Sequence, residues 1–183
     1  MNTSLTTTFV ADVLKKSGGS VHSFHRGDIK GGVADSRKVK GGELFAAFRG
    51  EHLDGNDYVK EALEAGAKAI ICEQAPEGNW PDQTIITVQD TRQALLKLAQ
   101  SWRKACDPFV IGITGTVGKT TTKELTAEVL QKRFKTHHSP GNFNSKEGLP
   151  LALLSLTSEM EVSVLEMGTV SYTHLTLPTS DLV

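Results

Sequence analysis

Gly112-Ile113-Thr114-Gly115-Thr116-Val117-Gly118-Lys119-Thr120-Thr121-Thr122 is the stretch on which the reading of this chain turns. An apolar run from Phe109 to Ile113 leads straight into a turn bearing Gly115 and Gly118, then Lys119-Thr120, and then a helix. Phosphate binding asks for this order. Glycines let backbone N–H groups turn inward and approach phosphate oxygens closely. The start of a helix adds free N–H donors and the positive end of its dipole. Lys119 supplies a point charge for the β- and γ-phosphates and is the catalytic candidate, while the Thr120 hydroxyl suits Mg²⁺. The expected cofactors are ATP and Mg²⁺, with Gly115, Thr116, Val117, Gly118, Lys119, Thr120 and Thr121 around the phosphates. The spacing departs from the common GxxxxGK[ST] pattern, because Gly115 stands only three residues before Gly118. A plain glycine turn with a solvated Lys119 is the bland alternative; the strand–loop–helix order favours phosphate.

Outward from this loop, Phe109 to Ile113 reads as a buried strand, Lys123 to Phe134 as an amphipathic helix using Leu125, Val129, Leu130 and Phe134, and Val162 to Leu165 as a further strand. Upstream, helices are expected over Thr8–Lys16 and Tyr58–Ala65, stopped by Gly18-Gly19 and by Gly66. Strands are expected over Leu44–Phe48, Ala69–Cys72 and Thr84–Val88. Asp90 or Thr91 can cap a helix in which Leu95, Leu98 and Trp102 share a face, ending near Ala105. Alternating strands and helices predict an α/β fold with a mixed or parallel sheet. The expected division is 1–105, then 106–168 after a joint at Cys106-Asp107-Pro108, then an atypical tail, 169–183.

Bulk properties narrow the function classes. The chain has 183 residues, 38% hydrophobic and 22% charged, which supports a buried core rather than disorder. A net charge of −1 gives no electrostatic case for nucleic acid or a membrane surface. Cys72 and Cys106 form no CxxC pair, and two isolated thiols fit a reducing cytoplasm. Residues 1–10 lack a basic start followed by an apolar stretch, so no signal peptide is expected, and no apolar run approaches the roughly 20 residues of a membrane span. His22, His25, His52 and the pair His137-His138 lack metal-ligand spacing and read as loop surface. Scattered charges read as solvated, and Cys72 as core.

The loop TGTVGKTTT resembles the shortened phosphate loop of the Mur ligase family, departing at Val117, where Asn is common. Three further segments are similar to that family: Asp35-Ser36-Arg37-Lys38-Val39 with the Gly41–Ala47 and Gly50–Gly55 blocks; Gly141-Asn142-Phe143-Asn144-Ser145-Lys146-Glu147-Gly148-Leu149-Pro150; and Leu165-Glu166-Met167-Gly168. The resemblance spans residues 30–168. It implies a small N-terminal UDP-binding α/β domain followed by the start of a P-loop-type parallel-sheet ATPase domain. The implied reaction is ATP-dependent amide-bond formation in peptidoglycan precursor synthesis. The last two segments favour the branch that adds D-alanyl-D-alanine to UDP-MurNAc-tripeptide over the branch that adds the third amino acid.

The resemblance also implies roles for single residues. Glu166, at the end of its strand, would hold Mg²⁺ with Thr120; from the residues alone, a solvated strand-end carboxylate is an equal reading. Ser36 and Arg37 would bind the UDP substrate, and a polar turn is their alternative. Asn142 and Asn144 would orient peptide or diphosphate, where a Gly-Asn stretch alone is more often just a loop. The expected partners are these small molecules, with no nucleic acid, no membrane span and a monomeric state. Residues 169–183 do not resemble the family and are expected to be non-native, the central domain to be truncated, and the 183-residue chain to be inactive as a ligase. A UDP-ligand or nucleotide-binding module without catalysis is the alternative from another class; a small P-loop kinase lacks the standard loop spacing.

Overall fold

The computed structural model describes residues 4–50, 53–141 and 143–168. In chain order the elements are α1 (Thr7–Lys16), β1 (Ser20–Ser23), β2 (Gly32–Val33), β3 (Leu44–Ala46), α2 (Val59–Glu64), β4 (Ala69–Cys72), β5 (Thr84–Thr87), α3 (Thr91–Cys106), β6 (Phe109–Ile113), α4 (Lys119–Gln131), β7 (Thr136–His138), α5 (Gly148–Leu153) and β8 (Val162–Glu166). They form a five-stranded sheet ordered β1-β5-β4-β3-β2 and a three-stranded sheet ordered β6-β8-β7. Only β1 runs antiparallel.

The first sheet follows from period-two alternation in short apolar strands, whose successive side chains point to opposite faces. Phe45, Ile70 and Ile85 pack on one face with Val59, Ala62 and Leu63 of α2. Leu44, Ala46, Ala69, Ile71 and Ile86 pack on the other with α1 and α3, where Val10, Leu14, Leu95 and Leu98 meet them. Both longer helices are capped as their sequences ask. The Thr6 hydroxyl accepts from Phe9 N–H, and the Asp90 carboxylate accepts from Gln93 N–H.

α3 ends at Asp107, which takes the left-handed conformation at φ 49°. That turn redirects the chain into β6, but the core does not stop there. Leu149, Leu151, Leu153, Leu154 and Leu156, in and after α5, belong to the same buried cluster as Leu5, Leu14 and Trp102. The Trp102 indole N–H donates to the Leu156 carbonyl at 3.0 Å, and the Phe9 and Trp102 rings meet edge to face at 5.0 Å.

Five expectations are corrected here. α4 begins at Lys119, not Lys123, because the glycine turn feeds directly into it through the Gly118 N-cap. Its inward stripe is Lys123, Ala127 and Leu130, against Ile111, Ile113, Val162 and Val164. Leu125 and Val129 are exposed instead, at 58% and 70%. β6 is a half-exposed edge strand rather than a buried one, with Phe109 62% exposed. His137 and His138 form a strand, and His137 is buried. The solvated-charge reading fails at Lys123, which is fully buried. β1, β2, β7 and α5 were not anticipated from the sequence. The expectations for Asn142, His52 and 169–183 lie outside the described residues. Cys72 is core, as expected, and desolvation pushes its thiol up to about 12.

Candidate functional site

The parallel register of β6 and β8 sets Ile113 opposite Glu166. Ile113 is the last residue before the glycine turn, so the carboxylate emerges beside the loop, at the edge of the sheet where ligands collect. Gly115 at φ 150° and Gly118 at φ 79° give the turn its shape. Gly118 is also the first half-turn of α4 and offers no side-chain cap, which leaves the first N–H groups of the helix facing the loop. No acidic residue lies in that first turn. Positive potential at a helix start with uncapped donors is a ready anion site.

Within this frame the expected residues converge. The Thr120 hydroxyl donates to Glu166 Oε2 at 2.7 Å. The Asn144 amide donates to Glu166 Oε1 at 2.7 Å. The Lys119 ammonium folds back to the Gly115 carbonyl at 2.8 Å, across the mouth of the turn. Thr116 and Val117 form the outer tip, with Val117 90% exposed, and Thr121 is exposed at the start of α4. Glu166 is 2% exposed, and a buried carboxylate survives only with donors around it. Its donors are those two side chains. Its own backbone N–H, in turn, donates to the Ser139 hydroxyl at 3.1 Å.

Two contributors were missed. Lys123, one turn along α4, donates to the carbonyls of Ser139 at 2.7 Å and Gly141 at 2.6 Å, and its ammonium lies 4.0 Å from Glu166 Oε2. Ser139, fully buried, continues β7 through a bond from its N–H to the Val164 carbonyl. The signal for Lys123 was its place on the i, i+4, i+7 stripe with Ala127 and Leu130, an inward face that apolar counting assigned elsewhere.

The oxygen set formed by Thr120 and Glu166 fits a hard cation such as Mg²⁺, which takes one or two protein oxygens and completes its shell with phosphate and water. Among the described residues no group of three or more His, Cys, Asp or Glu could hold a metal by itself. The donor set therefore suits an ion that arrives with a phosphate ligand.

A second concavity lies on the five-stranded sheet. It has a volume of about 360 Å³ and is lined by Asp35, Ser36, Arg37, Phe45, Phe48, Leu53 and Tyr58, among others. Ser36 is buried in its wall. Arg37 is exposed, and its guanidinium pairs in a fork with the Asp35 carboxylate at 2.9 Å through both Nε and an η nitrogen. That pair holds the Asp35 carboxyl below its usual range. Apolar and aromatic walls with a charged rim suit a ring that carries anionic substituents. Arg92 has its guanidinium over the ring of Phe48, which lines the cleft, and its Nε donates to Glu147 at 2.8 Å.

Two α/β units make up the described chain, one with an apolar cleft and one with a short glycine turn facing a strand-end carboxylate. The chain belongs to the Mur ligase family: residues 10–103 match the "Mur ligase family, catalytic domain" model and 113–178 the "Mur ligase middle domain" model. It is 39% identical over 140 residues to the UDP-N-acetylmuramoyl-tripeptide–D-alanyl-D-alanine ligase of Bacillus subtilis, covering 76% of this chain and 31% of that protein. Against the ligase of the same name from Escherichia coli it is 36% identical, over 74% of this chain and 29% of that one. A crystal structure of MurF from Acinetobacter baumannii matches with a TM-score of 0.74 at 31% identity, covering 87% of this chain and 35% of the other. MurF from Thermotoga maritima in complex with ADP matches with a TM-score of 0.64 at 36% identity, covering 80% and 34%. The chain thus spans about a third of the length of the relatives it matches. Among the described residues no helix is long and apolar enough to cross a membrane.

Proposed function

We propose that this chain carries the UDP-substrate and nucleotide sites of an ATP-dependent ligase that joins D-alanyl-D-alanine to UDP-MurNAc-tripeptide, as a cytoplasmic monomer. The observation that carries the reading is the 2.7 Å contact between Thr120 and Glu166 across the mouth of the Gly115–Gly118 turn. The names of the relatives, and the ADP in the Thermotoga structure, support the choice of substrates and nucleotide. Two cysteines that form no disulfide support a reducing compartment.

The division of labour follows the two sheets, with residues 1–105 for the UDP substrate and 106–168 for ATP. Ser36 and Arg37 would take the UDP part in the cleft, with Arg37 exchanging Asp35 for diphosphate oxygens. Asn142 and Asn144 would orient the peptide or diphosphate part of the substrate. The turn N–H groups from Gly115 to Gly118, with Thr116, Val117 and Thr121 at its rim, would cradle the phosphates.

A carboxylate does not condense with an amine at neutral pH, because hydroxide leaves poorly. Attack of the peptide carboxylate on the γ-phosphorus of ATP forms an acyl phosphate and releases ADP; attack of the dipeptide amine forms the amide and releases phosphate. The protein's work is positioning and charge neutralisation. Lys119 would leave the Gly115 carbonyl for the transferring phosphoryl oxygens. Thr120 and Glu166 would hold Mg²⁺, whose charge offsets that of the phosphates.

Calorimetric titration of this chain with Mg-ADP and, separately, with UDP-MurNAc-tripeptide tests the reading. Micromolar binding of both, with loss of only the first in Lys119→Ala, is expected. Absence of nucleotide binding by the unmodified chain sinks the reading.

A further inference from the structure

We propose that Lys123 is a positioning residue of the nucleotide–metal site, one whose buried ammonium fixes the Ser139–Gly141 segment and so holds Glu166 and Asn144 in register with Thr120. The inference rests on the nucleotide-binding reading above.

Its side chain has no solvent exposure, although it lies on the same stripe as Ala127 and Leu130, where an apolar residue of equal length would pack. Removing an ammonium from water costs several kcal/mol unless every proton finds an acceptor. Here all three are met. Two go to the Ser139 and Gly141 carbonyls, and the third faces the carboxylates of Glu124 at 3.1 Å and Glu166 at 4.0 Å. Those two carbonyls follow β7, beyond the strand ladder that would otherwise satisfy them. The Ser139 hydroxyl accepts from the Glu166 backbone N–H, and Asn144, three residues past Gly141, holds the other carboxylate oxygen. Lys123, Ser139 and Glu166 thus close a ring directly beneath the Thr120 contact. A pure packing role would require none of this polarity; a fixed cation that orients a metal-holding carboxylate explains all of it.

The test compares ADP affinity with and without Mg²⁺ for the unmodified chain, Lys123→Met and Lys123→Gln. Near-ultraviolet circular dichroism checks that each variant is folded. Lys123→Gln keeps an amide NH2 with two N–H donors and guards against loss of the fold in the Met variant. The expected result is metal-free affinity near that of the unmodified chain, with the gain conferred by Mg²⁺ reduced about tenfold, the scale typical of lost outer-sphere partners. An unchanged Mg²⁺ gain overturns the proposal and leaves the nucleotide reading intact. Equal loss in both conditions assigns Lys123 to packing, and a larger Mg²⁺ gain makes it a competitor of the ion; either overturns it. So does unfolding of both variants. Lack of ADP binding by the unmodified chain removes the site reading and this inference together, whereas Lys119→Met should lose affinity in both conditions.

Discussion

The two sheets bury different chemistry. In the five-stranded sheet both faces are apolar, and the buried polar side chains around it, Thr7, Ser36, Thr84 and Thr91, are small and uncharged. Around the three-stranded sheet the buried polar residues are Lys123, His137, Ser139, Ser163 and Glu166. Both sheets are built mainly from short parallel strands, with β1 the antiparallel exception in the first, so topology does little to separate them. The first is filled to hold a fold together. The second accepts costly buried polarity next to the strand ends where the candidate site lies, and there Lys123, His137 and Glu166 each find partners.

The sharpest way to break this contrast is to cut into the apolar side. Leu98 is fully buried between α3 and the first sheet. Leu98→Ala should lower unfolding free energy by about 4 kcal/mol, read by urea denaturation. A loss below about 1 kcal/mol would mean that this core is loosely packed.

Next comes the polar side. The His137 ring lies between the Ser163 hydroxyl at 2.9 Å and the Ser155 hydroxyl at 2.9 Å, and desolvation lowers its pKa from 6.5 to about 4. Because the folded value is depressed, the unfolded chain binds the proton first as pH falls. Stability is therefore full above about 6.5 and drains away down to about 4, by about 3 kcal/mol in all. Urea midpoints measured across that range should show this slope, and His137→Gln should flatten it.

A smaller effect is expected at Asp90, whose carboxylate accepts from Gln93 N–H at 3.0 Å. Asp90→Ala should cost about 1 kcal/mol in a thermal melt. Smallest of all is the outer face of α4, where Leu125→Glu should shift stability by less than about 0.5 kcal/mol. A large effect there would show that this face is covered in solution.

The same contrast explains what the amino-acid sequence made legible. Ala69–Cys72 and the Asp90 cap were readable because local pattern and tertiary environment agree, whereas 109–113 was legible as a strand but not as an exposed edge. The meeting of Thr120 with Glu166 was expected from the family resemblance, since the residues alone allowed a solvated strand-end carboxylate equally well. Ser20–Ser23 and Thr136–His138 were not, since neither has a strand pattern of its own; each becomes a strand by pairing with β5 or β8. α4 misled because Leu125 and Val129 mark a more apolar stripe than the one that turns inward. Hydrophobicity alone could not find a face whose central member is a lysine.

The bond from the Trp102 indole to Leu156, set in a cluster that runs from Leu5 to Leu165, has a mechanical consequence. The bend at Asp107 is not a hinge. A chain nicked there by a protease would stay together as a non-covalent pair, since leucine and tryptophan packing, rather than the severed peptide bond, is what joins its halves.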